Sequence, residues 1–224
     1  MRKLFLIPAR GGSKGLPGKN ILDFKGKPLI CHTIDAAKDA MGLDDILCIS
    51  TEDEEIRTVV EEYGIKVHFN RPIELATDEA STSDVISHAV DWFKERNESF
   101  DIVVLLQATS PLREAKHIRE ALNLWSSEVD MVVSVKKTDS NPYYSLFEED
   151  STGLLVKTKQ GDFHRRQDCP VVYEYNGAIY IFRSDLNPSK ALRKRKYLMS
   201  KVSSIDIDDA IDFKVAEYFF DYCH

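Results

Sequence analysis

Residues 5–20 read FLIPARGGSKGLPGKN, an apolar run that leads into a loop with four glycines and the cations Arg10, Lys14 and Lys19. Backbone N–H groups of a glycine-rich turn can converge on phosphate oxygens, because glycine has no Cβ to obstruct a close approach. Lysine and arginine supply the charge that such an anion requires. The loop lacks the GxxxxGK[ST] and GxGxxG spacings of familiar nucleotide-binding turns. Two interpretations remain, a phosphate-binding loop and a flexible solvated turn, and the position after a strand favours the first.

The composition restricts the class of protein. The chain has 224 residues, 43% of them hydrophobic, and a formal net charge of −7. A sequence pI of about 5.4 argues against a broad nucleic-acid-binding surface, so charge that binds phosphate must be local. No apolar run reaches the roughly 20 residues that cross a bilayer, and no signal-peptide pattern is present, so we expect no membrane association. Four scattered cysteines without CxxC spacing predict reduced thiols and a cytoplasmic location.

Short apolar runs alternate with amphipathic stretches along the chain. Strands are predicted at 3–9, 45–50, 67–69, 101–106, 131–135 and 176–182. Helices are predicted at 29–40, 54–63, 83–96 and 114–125. This alternation predicts an α/β fold, a mostly parallel, Rossmann-like sheet with helices on both faces. Ligands of such sheets bind at the carboxyl ends of the strands, where the first loop and QATSPLR (107–113) both lie.

The pattern changes at residue 138, where long helical stretches stop and polar loops with a hairpin-like segment at 150–153 begin. We predict an antiparallel arm over 138–173, inserted into a core formed by 1–137 and 174–224. The pattern leaves two roles open, dimerisation and packing against the same subunit. The basic run KALRKRKYLMSK (190–201) receives no role, and a solvated, mobile face is the default interpretation.

The loop sequence ARGGSKGLPGKN resembles the nucleotide-binding signature of the CMP-N-acylneuraminate synthetases, the cytidylyltransferases that activate sialic acids. Further blocks that resemble this family follow in the family's order, at 71–90 (RPIELATDEASTSDVISHAV), 105–113 (LLQATSPLR), 165–170 (RRQDCP), 176–181 (NGAIYI) and 204–213 (SIDIDDAIDF). The resemblance implies a nucleotidyltransferase sheet and the substrates CTP and a nine-carbon 2-keto sugar acid. The implied products are a CMP-sugar and pyrophosphate, and the implied cofactor is Mg²⁺.

The resemblance also implies which residues bind CTP: Ala9, Arg10, Gly11, Gly12, Ser13, Lys14, Lys19, Asn20, Arg71 and Ser83. Arg10 and Lys19 take catalytic roles, with Lys19 near the departing pyrophosphate. From the pattern alone, Arg71 could equally be a surface arginine. Ser83 could equally be the N-cap of the helix predicted at 83–96.

The IDID segment places Asp206 and Asp208 on one face if the backbone there is extended, about 6.6 Å apart. Two such carboxylates suit Mg²⁺, which combines one or two of them with waters and phosphate oxygens. Alternatively, an aspartate of this segment caps the final helix, for which Asp209 followed by Asp212 is suitable. The resemblance favours Asp206 and Asp208 as metal ligands. We also hypothesise that Asp208 helps to deprotonate the sugar's anomeric hydroxyl.

For the sugar acid, the resemblance implies contacts from two loops, one strand and the arm: Gln107, Thr109, Ser110, Arg113, Arg166 and Tyr180. Arg166 resembles an arginine that a second subunit lends to the site, so we expect a homodimer with a shared active site. From the pattern alone, Thr109 and Ser110 could simply form a turn, and Tyr180 could be a buried strand residue. Ala108 and Tyr144 depart from the family's usual proline and from a lysine that some members carry.

The sequence leaves other functions open. A nucleotidyltransferase for a Kdo-type acid or a sugar-1-phosphate is the enzymatic alternative, although the first loop lacks the GTRLxPLT-like spelling of the sugar-1-phosphate enzymes. A non-catalytic nucleotide-binding relative is the other alternative, and the retained loop cations and IDID carboxylates argue against it. Legionaminic, pseudaminic and non-aminated nonulosonic acids all remain candidate acceptors.

Overall fold

A computed structural model describes residues 1–186, 190–191 and 193–223. The strands are β1 (Lys3–Pro8), β2 (Asp23–Phe24), β3 (Lys27–Pro28), β4 (Ile46–Ser50), β5 (Ile102–Leu106), β6 (Met131–Lys137), β7 (Phe147–Glu149), β8 (Leu155–Lys157), β9 (Tyr173–Arg183) and β10 (Lys194–Leu198). The α-helices are α1 (Leu29–Ala40), α2 (Glu54–Glu62), α3 (Thr82–Lys94), α4 (Ala115–Asn123) and α5 (Ala210–Cys223). The four helices predicted from periodicity are confirmed, each within two residues at either end.

The central sheet has six strands in the order β10-β6-β9-β5-β1-β4. β1 pairs in parallel with β4 and β5, and β10 pairs in parallel with β6. β9 runs antiparallel to both of its neighbours, β5 and β6. The prediction of a mostly parallel sheet is therefore confirmed. The carboxyl ends of β1, β4 and β5 meet at one edge, which is where such a sheet binds ligands.

Helices cover both faces of the sheet, as predicted. Ile34 of α1, Ile56 of α2 and Ile118 of α4 share one buried cluster with β1 and β5. Ile86 and Phe93 of α3 belong to a second cluster on the opposite face. β5 is buried along its whole length, because both of its faces are covered. An uninterrupted apolar strand such as IVVLL is typical of this position.

Two strand assignments need correction. Residues 67–69 are described and form no strand, although Val67 and Phe69 are buried. Their alternating pattern reflects packing into the two clusters rather than pairing in the sheet. Conversely, part of the basic run 190–201, interpreted as a solvated and mobile face, forms the edge strand β10. The lysines and arginines of β10 made its sequence resemble a solvated surface, because an edge strand tolerates such residues on its open side.

The predicted hairpin is present, because β7 and β8 pair antiparallel around a turn in which Gly153 has a φ of 83°. The arm boundaries at 138 and 173 stay a prediction. Asp209 caps α5, since its Oδ1 accepts hydrogen bonds from the N–H groups of Ile211 and Asp212. None of the helices in the described part of the chain combines the length and apolar character that a bilayer crossing requires.

Candidate active site

The first loop leaves β1 beside the end of β4. Ala9 N donates to Ser50 O at 2.9 Å, and Gly11 N donates to the Glu52 carboxylate at 2.8 Å. A Cβ on Gly11 would lie 2.0 Å from the Asp53 carboxylate, so a larger residue here would have to displace the Asp53 side chain. Gly12 has open space around its α-carbon, and with Ser13 it leads the loop towards Lys14. The loop is therefore anchored to the β4–α2 connection at its start.

The loop cations are each held by an aspartate. Arg10 and Lys14 contact the two oxygens of Asp78 at 2.8 and 2.5 Å. The hydrogen bonds from Lys14 and Arg10 lower the pKa of the Asp78 carboxyl. Lys19 Nζ donates to Ile207 O at 2.6 Å and to Asp208 Oδ1 at 3.2 Å. Because these cations already bind carboxylate oxygens, their geometry suits phosphate oxygens as well.

The loop and the IDID segment meet directly. A Cβ on Gly15 would lie 2.3 Å from the Asp208 carbonyl oxygen, so only glycine permits this approach. Together with the Lys19 contacts, this places the end of the first loop against Ile207 and Asp208, shortly before α5. The structure thus brings together residues that are almost 190 positions apart in the sequence.

An arginine cleft of about 260 Å³ lies at the ends of β1 and β5, lined among others by Arg10, Arg71, Asp78 and Gln107. Arg71 is 5% exposed, so it is not a surface arginine. Its Nε donates to Ser50 Oγ at 3.1 Å, and its NH1 lies 3.7 Å from Glu52 Oε2. Burial lowers the pKa of Arg71, and the charge of Glu52 opposes this. The guanidinium is thus fixed in one orientation.

Asn20 stands at the base of the first loop. It is buried, and its Nδ2 donates to Arg10 O at 3.0 Å. Its Oδ1 accepts no hydrogen bond from the described residues, which leaves a buried acceptor for a ligand donor. Asn20 therefore orients the backbone of Arg10 and retains one unused polar atom.

A tyrosine cleft of about 270 Å³ adjoins the arginine cleft, with Gln107 in the wall of both. Ser83, Tyr175, Tyr180 and Lys194 also line it. Ser83 does not cap α3, contrary to that interpretation, because Ser81 Oγ accepts the capping bond from the backbone N–H of the third helical residue at 3.2 Å. Because Ser81 is the cap, Ser83 lies in the first turn of α3 and lines the tyrosine cleft.

A carboxylate cleft of about 540 Å³ contains Asp206 and Asp208, with Tyr175 and Tyr180 shared with the tyrosine cleft. Thr109 Oγ1 donates to Asp206 Oδ1. Burial raises the pKa of the Asp206 carboxyl, and the charge of Asp208 acts in the same direction. Two carboxylates in one cleft, one of them buried, fit the donor set of a hard cation. Among the described residues no group of three His, Cys, Asp or Glu could hold a metal, so a cation here would need substrate oxygens as well.

Two of the sequence-predicted sugar contacts, Arg113 and Ser110, are buried, and their role towards a sugar acid stays a prediction. Arg113 is 2% exposed and its guanidinium faces the interior, where it donates to Gln107 O at 3.0 Å, Ala178 O at 2.8 Å and Thr33 Oγ1 at 2.5 Å. Ser110 is 1% exposed. The physical reason is the turn itself, in which Arg113 N donates to Ser110 O and directs both side chains inward.

Arg166 lies on the arm, away from the three clefts described above. It pairs with Asp139 at 3.3 Å and lines a separate cavity of about 510 Å³ between the arm and the end of β10. Lys201 borders both this cavity and the carboxylate cleft. A contact between Arg166 and a sugar acid in the clefts of its own chain is therefore not seen, and its role across a dimer stays a prediction.

The sequence reasoning missed several residues of these clefts. Glu52 could have been found, because it follows the end of β4 at the same sheet edge as the first loop. Asp78 gave no local signal, since its contacts with Arg10 and Lys14 span more than 60 positions. Lys194 was missed together with its strand β10, whereas Tyr175 lies in β9, one residue before the strand predicted at 176–182. Both residues line the tyrosine cleft.

Comparison with known proteins finds similar sequences over almost the whole chain. Residues 4–220 match the family described as "Cytidylyltransferase". The chain is 40% identical to an N-acylneuraminate cytidylyltransferase of Streptococcus agalactiae, over 99% of this chain but only 54% of the relative. It is 39% identical to a CMP-N,N'-diacetyllegionaminic acid synthase of Legionella pneumophila, over 97% of this chain and 95% of the relative.

A solved structure supports the fold. A CMP:2-keto-3-deoxy-manno-octonic acid synthetase complexed with CTP is similar over the whole of both chains, with a TM-score of 0.73 and 17% identity. At this identity the likeness concerns the fold alone. The chain spans about half the length of the streptococcal relative and nearly all of the Legionella relative. The family match over 4–220 and these identities show that the chain belongs to the cytidylyltransferase family.

Proposed function

We propose that this protein transfers CMP from CTP to a nine-carbon 2-keto sugar acid and releases pyrophosphate. One observation carries the proposal: Lys19 of the first loop lies 3.2 Å from Asp208, so the cationic loop and the carboxylates share one site. Two relatives are named for N-acylneuraminate and N,N'-diacetyllegionaminic acid, which supports this class of acceptor.

The loop is suited to hold the triphosphate. The phosphates of CTP carry about four negative charges. Arg10 and Lys14 would therefore exchange their contacts with Asp78 for contacts with these phosphates. Lys19 is fixed by Ile207 O and Asp208, and its charge is available for the oxyanion that builds up on departing pyrophosphate. Arg71 lines the arginine cleft, where the nucleoside would bind, and Asn20 orients the backbone of Arg10 beside it. Gln107 faces both the nucleoside side and the acceptor side.

We propose Mg²⁺ as the cofactor, with Asp206 and Asp208 as its protein ligands. Their shared cleft and the contact between Asp208 and Lys19 support this. When bound there, the cation would polarise phosphate oxygens and neutralise part of their charge. Thr109 holds one oxygen of Asp206 and so fixes the direction of the other. Asp208, which contacts Lys19, would accept the proton of the sugar hydroxyl.

The Asp206→Asn variant tests the metal assignment. We expect the Mg²⁺ concentration for half-maximal rate to rise at least about tenfold, because a carboxylate ligand is replaced by an amide. At pH 7 the apoprotein should unfold at a slightly higher temperature than the wild type, because burial disfavours the ionised form of Asp206. Pyrophosphate release and thermal unfolding measure the two effects. An unchanged Mg²⁺ requirement contradicts the assignment.

We also propose a homodimer in which the arm of one chain completes the site of the other. The β7–β8 hairpin exposes apolar side chains, including Leu155 at 71%, Phe147 at 46% and Leu146 at 41%. Two short strands with exposed apolar residues are marginal alone, and a second copy would cover them. A cytoplasmic location is proposed too, and the free thiols of Cys31, Cys48 and Cys169 support it.

Complementation tests the shared site. We expect Lys19→Ala and Arg166→Ala to be defective alone, and the two chains refolded together to regain about a quarter of wild-type activity. Random mixing gives half heterodimers, each with one intact site. Light scattering reports the oligomeric state of each sample. Activity equal to the mean of the two parents would mean that each chain forms its site alone.

The overall function is tested by pyrophosphate release from CTP and Mg²⁺ across a panel of nonulosonic acids, Kdo and sugar 1-phosphates. We expect a signal with at least one nonulosonic acid. A signal only with Kdo or a sugar phosphate would favour the other nucleotidyltransferase functions. No signal with any acceptor, in a protein that still binds CTP, would favour a non-catalytic relative.

A further inference from the structure

We propose that Lys194, from the basic run without an assigned role, binds the carboxylate of the acceptor acid in the tyrosine cleft. This inference rests on the proposed function and identifies how the same chain selects an acid as acceptor. It assigns a binding role to β10, the strand that the sequence did not reveal.

The first step is the position of Lys194. β10 forms the edge of the sheet and pairs in parallel with β6, with Lys194 opposite Met131. The side chain extends along the cleft wall, with Nζ 5.9 Å from the centre of the Tyr175 ring. Tyr175 in turn packs edge-on to Tyr180, the residue that also borders the carboxylate cleft. The ammonium group therefore stands beside the aromatic pair that separates the two clefts.

The second step is charge. In the described lining of the tyrosine cleft, Lys194 is the one charged residue, and the other polar groups are amide and hydroxyl groups. Among the described residues, no carboxylate lies within 4.0 Å of Lys194 Nζ, whereas Arg10, Lys14 and Lys19 each pair with an aspartate. A cation in a concave, partly apolar site without an anionic partner favours a ligand that brings the anion.

The third step is the chemistry of the acceptor. A 2-keto sugar acid carries one carboxylate, next to the carbon whose hydroxyl must approach the α-phosphorus of CTP. Gln107 lines both the arginine and the tyrosine clefts, so an acceptor held beside it would lie between the nucleotide and Lys194. The apolar walls from Leu105, Met131 and Phe182 suit the methyl group of an N-acyl substituent. Lys194 thus provides a cation for the acid within the tyrosine cleft of the same chain.

The test compares Lys194→Gln with Lys196→Gln, a matched control two residues further along the same strand. Lys196 Nζ lies 4.8 Å from the ring centre of Tyr173, which does not line the tyrosine cleft. We expect Lys194→Gln to raise the KM for the acid about 10- to 100-fold, because a charge-assisted hydrogen bond is lost. The KM for CTP should change less than about twofold. Lys196→Gln should match the wild type in both constants.

A second measurement tests whether Lys194 recognises the carboxylate itself. N-acetylneuraminic acid, N,N'-diacetyllegionaminic acid and their C1 amides are titrated into the wild type and Lys194→Gln, with CTP present and Mg²⁺ omitted. The wild type should prefer an acid over its amide, and Lys194→Gln should lose that preference. The proposal would be overturned if Lys194→Gln lost affinity equally for acid and amide, or if it kept the wild-type preference for the acid. Either result would point to Arg166 of a second copy as the cation. Acid binding that depends on Lys194 without turnover by the wild type would instead refute the proposed reaction and leave this inference standing.

Discussion

Replacing Lys19 with alanine is expected to lower kcat for pyrophosphate release about 100- to 1000-fold. The Lys19 side chain is 13% exposed, and its ammonium is fixed between Ile207 O and Asp208 Oδ1. A cation that is already oriented and shielded from water stabilises developing negative charge far better than one that must reorganise. Removal also leaves the negative charge of Asp208 uncompensated beside the phosphates. Steady-state rates at saturating CTP and acceptor measure the effect.

Lys25→Ala is the matched control for this experiment. Lys25 is also a partly buried lysine, with a side chain 26% exposed and an ion pair to Asp221 at 2.5 Å. It lies in the turn between β2 and β3, outside the three clefts. We expect its kcat to stay within about twofold of the wild type, since an exposed ion pair contributes little. A Lys19→Ala enzyme with a kcat equal to that of Lys25→Ala would exclude Lys19 from catalysis.

Much of the fold could be predicted because local patterns and burial agree. The 3.6-residue period of 29–40 yields α1 with the predicted bounds, and the fully apolar β5 lies in the middle of the sheet. The failures occur where local pattern and tertiary position disagree. Residues 67–69 alternate because Val67 and Phe69 are buried, yet no strand pairs with them. β10 is strongly charged because it is an edge strand, so its pattern resembles a solvated surface.

The site was predictable only where the chemistry is local. The glycines and cations of the first loop indicate a phosphate site, because the loop itself forms that site. The contacts of Asp78 and Glu52, and the approach of Lys194 to Tyr175, depend on packing between separate segments, so no short segment reveals them. The burial of Arg113 was not predictable for a different reason. A charged residue after a strand usually faces solvent, and only the carbonyl groups of Gln107 and Ala178, which accept from its guanidinium, make its burial favourable.

Replacing Arg113 is therefore expected to have the second large effect, a loss of folding stability. Its guanidinium joins three parts of the fold: the end of β5 through Gln107 O, β9 through Ala178 O and α1 through Thr33 Oγ1. We expect Arg113→Met to lower the free energy of unfolding by about 3 kcal/mol, because a buried acceptor that loses its donor costs roughly 1–3 kcal/mol and the apolar side chain offsets part of this. Urea unfolding followed by circular dichroism measures the change.

Arg119→Met is the matched control, since Arg119 also donates to one backbone carbonyl, that of Asp39 at 2.7 Å, but at the surface. We expect Arg119→Met to lower the free energy of unfolding by less than about 1 kcal/mol. Arg113→Lys should fall between the two, because one ammonium on a flexible stem cannot reproduce a planar group with fixed donors to three acceptors. If Arg113→Met were as stable as Arg119→Met, its three hydrogen bonds would merely offset the cost of burying the charge. Gln107 would then keep its position without Arg113, and the variant would retain the wild-type KM for the sugar acid.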